Sequence, residues 1–118
     1  MKRIHADCPE RGNYYHLDGP VQPTKDSNKD GLPLFEVTGH SGAWSGGERF
    51  PVPPAIGTRL RVSMNALGTG TLLGYFVESG YLGVEVRPDA GQRPDWHIRQ
   101  NGDRHPHYLV FGTEIRPL

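Results

Sequence analysis

Glycines divide the segment from residue 57 to residue 89 into short runs in which apolar and polar residues alternate. The segment reads GTRLRVSMNALGTGTLLGYFVESGYLGVEVRPD. Within residues 59–64 every second residue is apolar, and residues 82–87 have the same period of two. This period places alternate side chains on opposite faces of a strand. Nowhere does the chain have the apolar spacing of an amphipathic helix. The pattern predicts an all-β fold.

The run between these two strands, residues 71–78, is apolar on both faces, as in a central strand. Its glycine, Gly74, predicts a bend or a bulge. A fourth strand is predicted at residues 107–111, and residues 112–116 are interpreted as a tight turn that leads into a short fifth strand.

The first half of the chain has a different composition, rich in turn-forming residues. It predicts a loop-rich extension over residues 1–56 with one or two short strands, at 34–37 and as a second candidate at 13–17. We therefore expect a single domain over residues 1–118, with a five-stranded barrel at 57–118. The inward positions of the barrel strands predict its core: Leu60, Val62, Leu72, Phe76, Val84, Val86, Val110 and Ile115.

The glycines do not form a nucleotide-binding loop. Gly68, Gly70 and Gly74 give G-x-G-x-x-x-G, whereas a dinucleotide site needs G-x-G-x-x-G at the start of a helix. The residues that follow predict a strand, and the chain has no G-K-[ST] sequence. We interpret Gly68 and Gly70 as turn residues with positive φ.

The runs GTGTLLGYF and GYLGVEV are similar to the G-x-V-x-Y and G-x-W-x-G-V-E-L patterns of CAP-Gly domains and, more loosely, to KOW-type barrels. Over residues 57–116 the chain thus resembles the SH3-like small β-barrels. The G-K-N-D-G loop with which CAP-Gly domains bind acidic-aromatic tails is absent. The resemblance therefore implies the barrel and not that activity. The chain as a whole also resembles proteins carried on mobile gene cassettes and plasmids.

Charge and cysteine content narrow the choice of partner and compartment. The chain has 13 basic and 13 acidic residues, and this balance disfavours nucleic acid as a partner without excluding a local basic patch. Cys8 is the single cysteine, so no internal disulfide or thiolate zinc cluster is expected. No run has the length of a signal peptide or membrane span. We expect a cytoplasmic protein without a membrane partner.

Two groups of residues are candidate metal ligands. Asp26, Asn28 and Asp30 have the spacing of a calcium loop, but position 12 is Val37 rather than a glutamate. We interpret the loop as a solvated turn, with a non-EF calcium site as the alternative. His97, His105 and His107 form a possible zinc set, for which exposed loop histidines are the competing interpretation. No cofactor is expected.

The long loop at residues 88–106 is the candidate recognition surface, because it combines an aromatic residue with arginines. The alternative is that Trp96 caps the open end of the barrel. The leading hypothesis is a non-catalytic binding module for a protein partner or for its own copy. Its alternatives are a nucleic-acid-binding barrel that uses Arg87, Arg93, Arg99 and Arg104 with Trp96 stacking on bases, and a small enzyme or metal-binding protein that uses the histidines. The candidate partner-binding residues are Trp96, Arg93, His97, Arg99, Tyr81 and Tyr108.

Overall fold

The computed structural model describes residues 16–65, 67–102 and 106–118 and is built mainly of β-strands, which confirms the all-β prediction. A single helix in these ranges, α1 (Asp95–Asn101), precedes the seventh strand, and a 3₁₀ helix (Gly112–Glu114) precedes the eighth. The strands are β1 (Val21–Ser27), β2 (Pro33–Val37), β3 (His40–Ala43), β4 (Arg59–Val62), β5 (Gly68–Glu78), β6 (Tyr81–Pro88), β7 (Tyr108–Phe111) and β8 (Ile115–Pro117).

These strands form one sheet that curls into a half-barrel. The order across the sheet is β1-β2-β3-β6-β5-β4-β8, and β7 pairs with β6. Neighbouring strands are antiparallel except β3 and β6, which are parallel and meet at Ala43 and Tyr81. Because β8 returns to pair with β4, the second half of the chain folds back on its own beginning.

Tight turns set the register of two hairpins. Thr38 and Gly39 join β2 to β3 with φ values of 50° and 80°, and Ser79 and Gly80 join β5 to β6 with φ values of 54° and 84°. Positive φ at both turn positions matches the right-handed twist of the flanking strands. Each of the five strands predicted in the second half has a counterpart in β4 to β8.

The first half contributes more to the sheet than expected. It supplies three strands, so the sheet has eight strands among the described residues rather than the five of the predicted barrel. The strand at residues 34–37 is confirmed within β2. The pattern missed β1 because this edge strand is mostly exposed and contains Pro23, a residue that sheets accept at their edges. Of the candidate strand at 13–17, the described part is His16 and Leu17, and Leu17 forms a bridge with Tyr75.

The sequence pattern gave no indication of α1. This helix has seven residues, and His97 is its buried residue. Two turns of helix are too short to display an apolar period, so the sequence pattern had nothing to detect.

All eight predicted core residues are buried, but the core is not confined to the second half. Leu17, Phe35, Val37 and Trp44 of the first half belong to the same cluster as the barrel residues. Phe76 instead packs with Leu109 and Phe111 in a separate cluster. The extension is therefore part of the main core.

The glycines of β5 have two different structural roles. Gly68 has φ of 85°, as predicted. Gly70 does not adopt positive φ; a Cβ atom there would collide with the backbone carbonyl of Arg87, so its role is close strand approach. The register of β5 against β6 shifts between Leu72 and Gly74, which confirms the predicted bulge.

Candidate functional site

The residues predicted to bind a partner are largely engaged within the fold. Arg93 donates from Nε to Nδ1 of His97 (2.7 Å) and from Nη2 to the carbonyl of Gly102 (2.7 Å). The buried His97 ring meets the ring of Tyr108 edge to face, with centroids 4.9 Å apart. The Tyr108 hydroxyl donates to the carbonyl of Leu67 (2.9 Å). These contacts hold α1 against the barrel.

The remaining candidates are more accessible. Trp96 is half-buried and packs against the core, with its ring edge to face with His97. Tyr81 is half-buried and packs edge to face with Phe111. Arg99 is exposed on α1. The role of these side chains in binding a partner stays a prediction.

The described members of the candidate zinc set, His97 and His107, do not form a shared site. His97 accepts from Arg93, whereas His107 contacts Glu85, and His105 and Arg104 lie outside the described residues. Within the described ranges, no group of three or more His, Cys, Asp or Glu side chains is arranged to hold a metal ion.

The candidate calcium loop is the turn between β1 and β2. The side-chain oxygen of Asn28 accepts hydrogen bonds from the backbone N–H groups of Asp30 (3.0 Å) and Leu32 (2.9 Å). Asp26 and Asp30 are exposed. A turn in which the side-chain oxygen of an asparagine accepts from backbone N–H groups that follow it is an Asx turn. This geometry agrees with the interpretation of the loop as a solvated turn.

A buried carboxylate forms a cluster that the pattern did not predict. Glu85 is 5% exposed and lies in the middle of β6, with Gly74 on one neighbouring strand and Leu109 on the other. Its Oε1 is 2.7 Å from Nδ1 of His16, and its Oε2 is 2.7 Å from Nδ1 of His107. Burial by itself raises the pKa of the Glu85 carboxyl, but hydrogen bonds from His107 and His16 outweigh it, and the pKa lies below its ordinary value.

Gly74 makes this cluster possible. A Cβ atom at this position would collide with Cε1 of His16, so the missing side chain lets the imidazole cross β5 and reach Glu85. The alternation in residues 82–87 puts Glu85 on the polar face of its strand, and from the sequence alone we predict a surface salt bridge to Arg59, Arg61 or Arg87. That prediction was wrong because the neighbours of Glu85 are set by residues 69 and 22 positions away in the chain. The feature of the sequence that could have indicated the cluster is a glutamate within an apolar run.

An apolar groove of about 500 Å³ lies where the extension meets the barrel. The Tyr75 hydroxyl, whose pKa is raised by burial, donates to the carbonyl of Pro54 (2.5 Å), and this bond fastens one wall of the groove to β5. The opposite wall begins at Asp18, directly after Leu17, and Leu17 is held to Tyr75 by two backbone hydrogen bonds (2.8 and 2.7 Å). Its apolar lining consists of Pro20, Val21, Pro53, Ala55, Ile56 and the Tyr75 ring, and Asp18 is the charged residue of the lining.

No protein-family model matches this chain, and no curated protein or solved structure matches it. The resemblance to SH3-like barrels therefore stays an expectation from the sequence. None of the helical segments in the described ranges has the length and apolar character needed to cross a membrane.

Proposed function

We propose that this protein is a non-catalytic binding module that takes an apolar side chain of a protein partner into the groove beside Tyr75. The observation that carries the proposal is the concentration of apolar surface at this place. Ile56 lines the groove and is 44% exposed, and Val52 on the same loop is 58% exposed. Exposed apolar surface around a concave site is typical of protein interaction sites.

The charge at the rim of the groove suggests the chemistry of the partner. Asp18 is exposed, and its side chain forms no hydrogen bond or ion pair with any described residue. A lysine or arginine next to the inserted apolar side chain would complement it. We rank binding ahead of the enzyme alternative because, among the described residues, the His16 and His107 imidazoles are hydrogen-bonded to the Glu85 carboxylate and not to a hydroxyl or thiol that they could activate.

The SH3-like assignment of residues 57–118 belongs to the same proposal. Its support is the strand order β8-β4-β5-β6 with β7 beside β6, and the return of the last strand to the first. The strands of the extension continue this sheet from β6.

Selection of peptides from a displayed random library on the purified protein tests the groove. We expect selected peptides to combine a large apolar residue with an adjacent lysine or arginine. Ile56→Asp should weaken their binding by about tenfold or more, because a charged side chain in an apolar site carries a large desolvation cost. Isothermal calorimetry with one selected peptide measures the effect.

Ile98→Asp is the matched control. Ile98 is 42% exposed, close to the value for Ile56, but lies on α1. If Ile98→Asp abolishes binding and Ile56→Asp does not, the recognition surface is the α1 loop and the groove proposal is wrong. Sedimentation velocity on the same variants reports whether the groove takes a second copy of the chain instead.

A further inference from the structure

The outer face of the half-barrel carries a cluster of arginines that come together only in the folded sheet. Arg59 on β4 pairs with Thr71 on β5, and Thr71 pairs in turn with Arg87 on β6. Directly opposed residues share one face of a sheet. The two arginines therefore flank Thr71 in a single row across three strands.

A second row runs beside the first. Arg61 pairs with Thr69 on β5 and with Arg116 on β8. Arg61 follows Arg59 by two residues, so both rows lie on the same face. We call the four residues Arg59, Arg61, Arg87 and Arg116 the arginine face. With strands about 4.8 Å apart and alternate residues about 7 Å apart, their Cα atoms lie within roughly 16 Å of one another.

The arginine face keeps most of its positive charge. Asp89 is the counter-ion of Arg59: it accepts from that guanidinium (2.7 Å) and from the Thr69 hydroxyl (2.6 Å), and the charge of Arg87 also acts on it. Arg59, Arg61 and Arg87 are exposed, and Arg116 is half-buried. Like charges directly opposed on adjacent strands, as in Arg61 and Arg116, are destabilising. In a chain with no net charge, this concentration of positive charge points to an anionic partner.

We propose that the arginine face binds the phosphate backbone of duplex nucleic acid. A guanidinium group matches phosphate geometry with paired hydrogen bonds. A threonine separates the two arginines of the first row and stands beside Arg61 in the second, and no aromatic side chain stands in either row to stack on unpaired bases. A duplex presents phosphates while its bases stay paired, so it fits such a face better than a single strand does.

This surface differs from the arginine set that the sequence predicted for nucleic acid. Of that set, Arg87 alone belongs to the arginine face. Arg93 is engaged with His97 and Gly102, Arg99 lies on α1, and Arg104 lies outside the described residues. The proposal also does not depend on the groove, because no residue of the arginine face lines it.

Fluorescence anisotropy with a labelled DNA duplex of about 20 base pairs, titrated between about 25 and 200 mM NaCl, tests the proposal. We expect the logarithm of the binding constant to fall against the logarithm of salt concentration with a slope of about −3. The double variant Arg61→Gln/Arg87→Gln should reduce that slope by about 2 and weaken binding about tenfold or more at low salt. Lys25→Gln/Lys29→Gln makes the same change in net charge at the opposite end of the sheet and should leave binding nearly unchanged.

Two further variants separate charge from folding. Arg61→Lys/Arg87→Lys keeps the charge and should keep the slope. Asp89→Asn removes the counter-ion of Arg59 and should tighten binding by about fivefold, the reverse of what loss of structure would cause. The proposal is overturned if the lysine control loses as much duplex affinity as the arginine variant. It is also overturned if a single strand binds more tightly than the duplex, or if the protein binds phosphatidylserine vesicles but not the duplex.

Discussion

At the scale of single residues, Glu85 connects three separate parts of the chain. It accepts from His16, next to the groove wall, and from His107, just before β7. A buried carboxylate with two hydrogen-bonding imidazoles is stabilised in its charged form. Removing one partner would leave a buried polar group without its bond, and this loss costs more than the bond contributes.

The pKa of Glu85 lies below its ordinary value of 4.5, so this carboxylate stabilises the fold above that pH, and the contribution is lost as the pH falls through the lowered value. We expect Glu85→Gln to reduce the free energy of unfolding by about 2 kcal/mol at pH 7. The difference from the unsubstituted protein should shrink as the pH is lowered from 7 through the lowered pKa of Glu85, because the carboxylate then becomes protonated.

Urea unfolding across this pH range measures the effect. Glu78→Gln makes the same chemical change at a half-buried position of β5 and should not alter the acid dependence. If the two variants lose stability in parallel with pH, the cluster does not act through the Glu85 charge.

At the scale of elements, α1 is stabilised by its contacts with the rest of the fold. Seven residues are too few to form a stable helix in isolation, and its N-cap, Pro94, makes no side-chain capping bond. Arg93 supplies the missing restraint by bonding to the carbonyl at the C-terminal end, and Trp96 and His97 pack inward. The predicted recognition loop is thus built around a helix that folds down on the barrel.

Trp96→Ala tests whether this helix caps the barrel or binds a partner. Because Trp96 is half-buried against the core, we expect a loss of about 2 kcal/mol in stability, while groove-selected peptides still bind the folded protein. Ile98→Ala, on the exposed side of the same helix, should change stability by less than about 0.5 kcal/mol. If Trp96→Ala keeps its melting midpoint but no longer binds the peptide, Trp96 belongs to the binding surface.

At the scale of the whole molecule, the extension and the barrel share one core. Phe35 and Trp44 are buried in the same cluster as Val84, and β3 joins the sheet at β6. The indole N–H of Trp44 donates to the carbonyl of Phe50 (2.7 Å), which fixes the segment between β3 and β4 over that core. Such shared burial makes the halves interdependent for folding.

Phe35→Ala should therefore destabilise the second half as well as the first. We expect a loss of about 3 kcal/mol, with tryptophan fluorescence and far-ultraviolet circular dichroism giving one coincident unfolding transition. Val52→Ala, at an exposed position of the same half, should have little effect. Two separate transitions would show that the extension and the barrel are independent domains.

The local pattern was sufficient for features that depend on neighbouring residues. Alternation in residues 59–64 and 82–87 placed Leu60, Val62, Val84 and Val86 inside, because a strand turns successive side chains to opposite faces whatever lies beside it. The turn between the predicted strands at 71–78 and 82–87 is local in the same way, since the two-residue turn at Ser79 and Gly80 depends on its own φ angles.

Tertiary structure alone decided the features that join distant segments. Nothing near Glu85 in the sequence indicates that His16 and His107 would reach it, and α1 forms because the barrel end receives Trp96 and His97. The arginine face likewise arises from register, since Arg61 and Arg116 are 55 positions apart in the chain and adjacent in the sheet. Alternation determines which side of a strand a residue occupies, but only strand pairing, set by the packing of the whole core, determines what stands beside it.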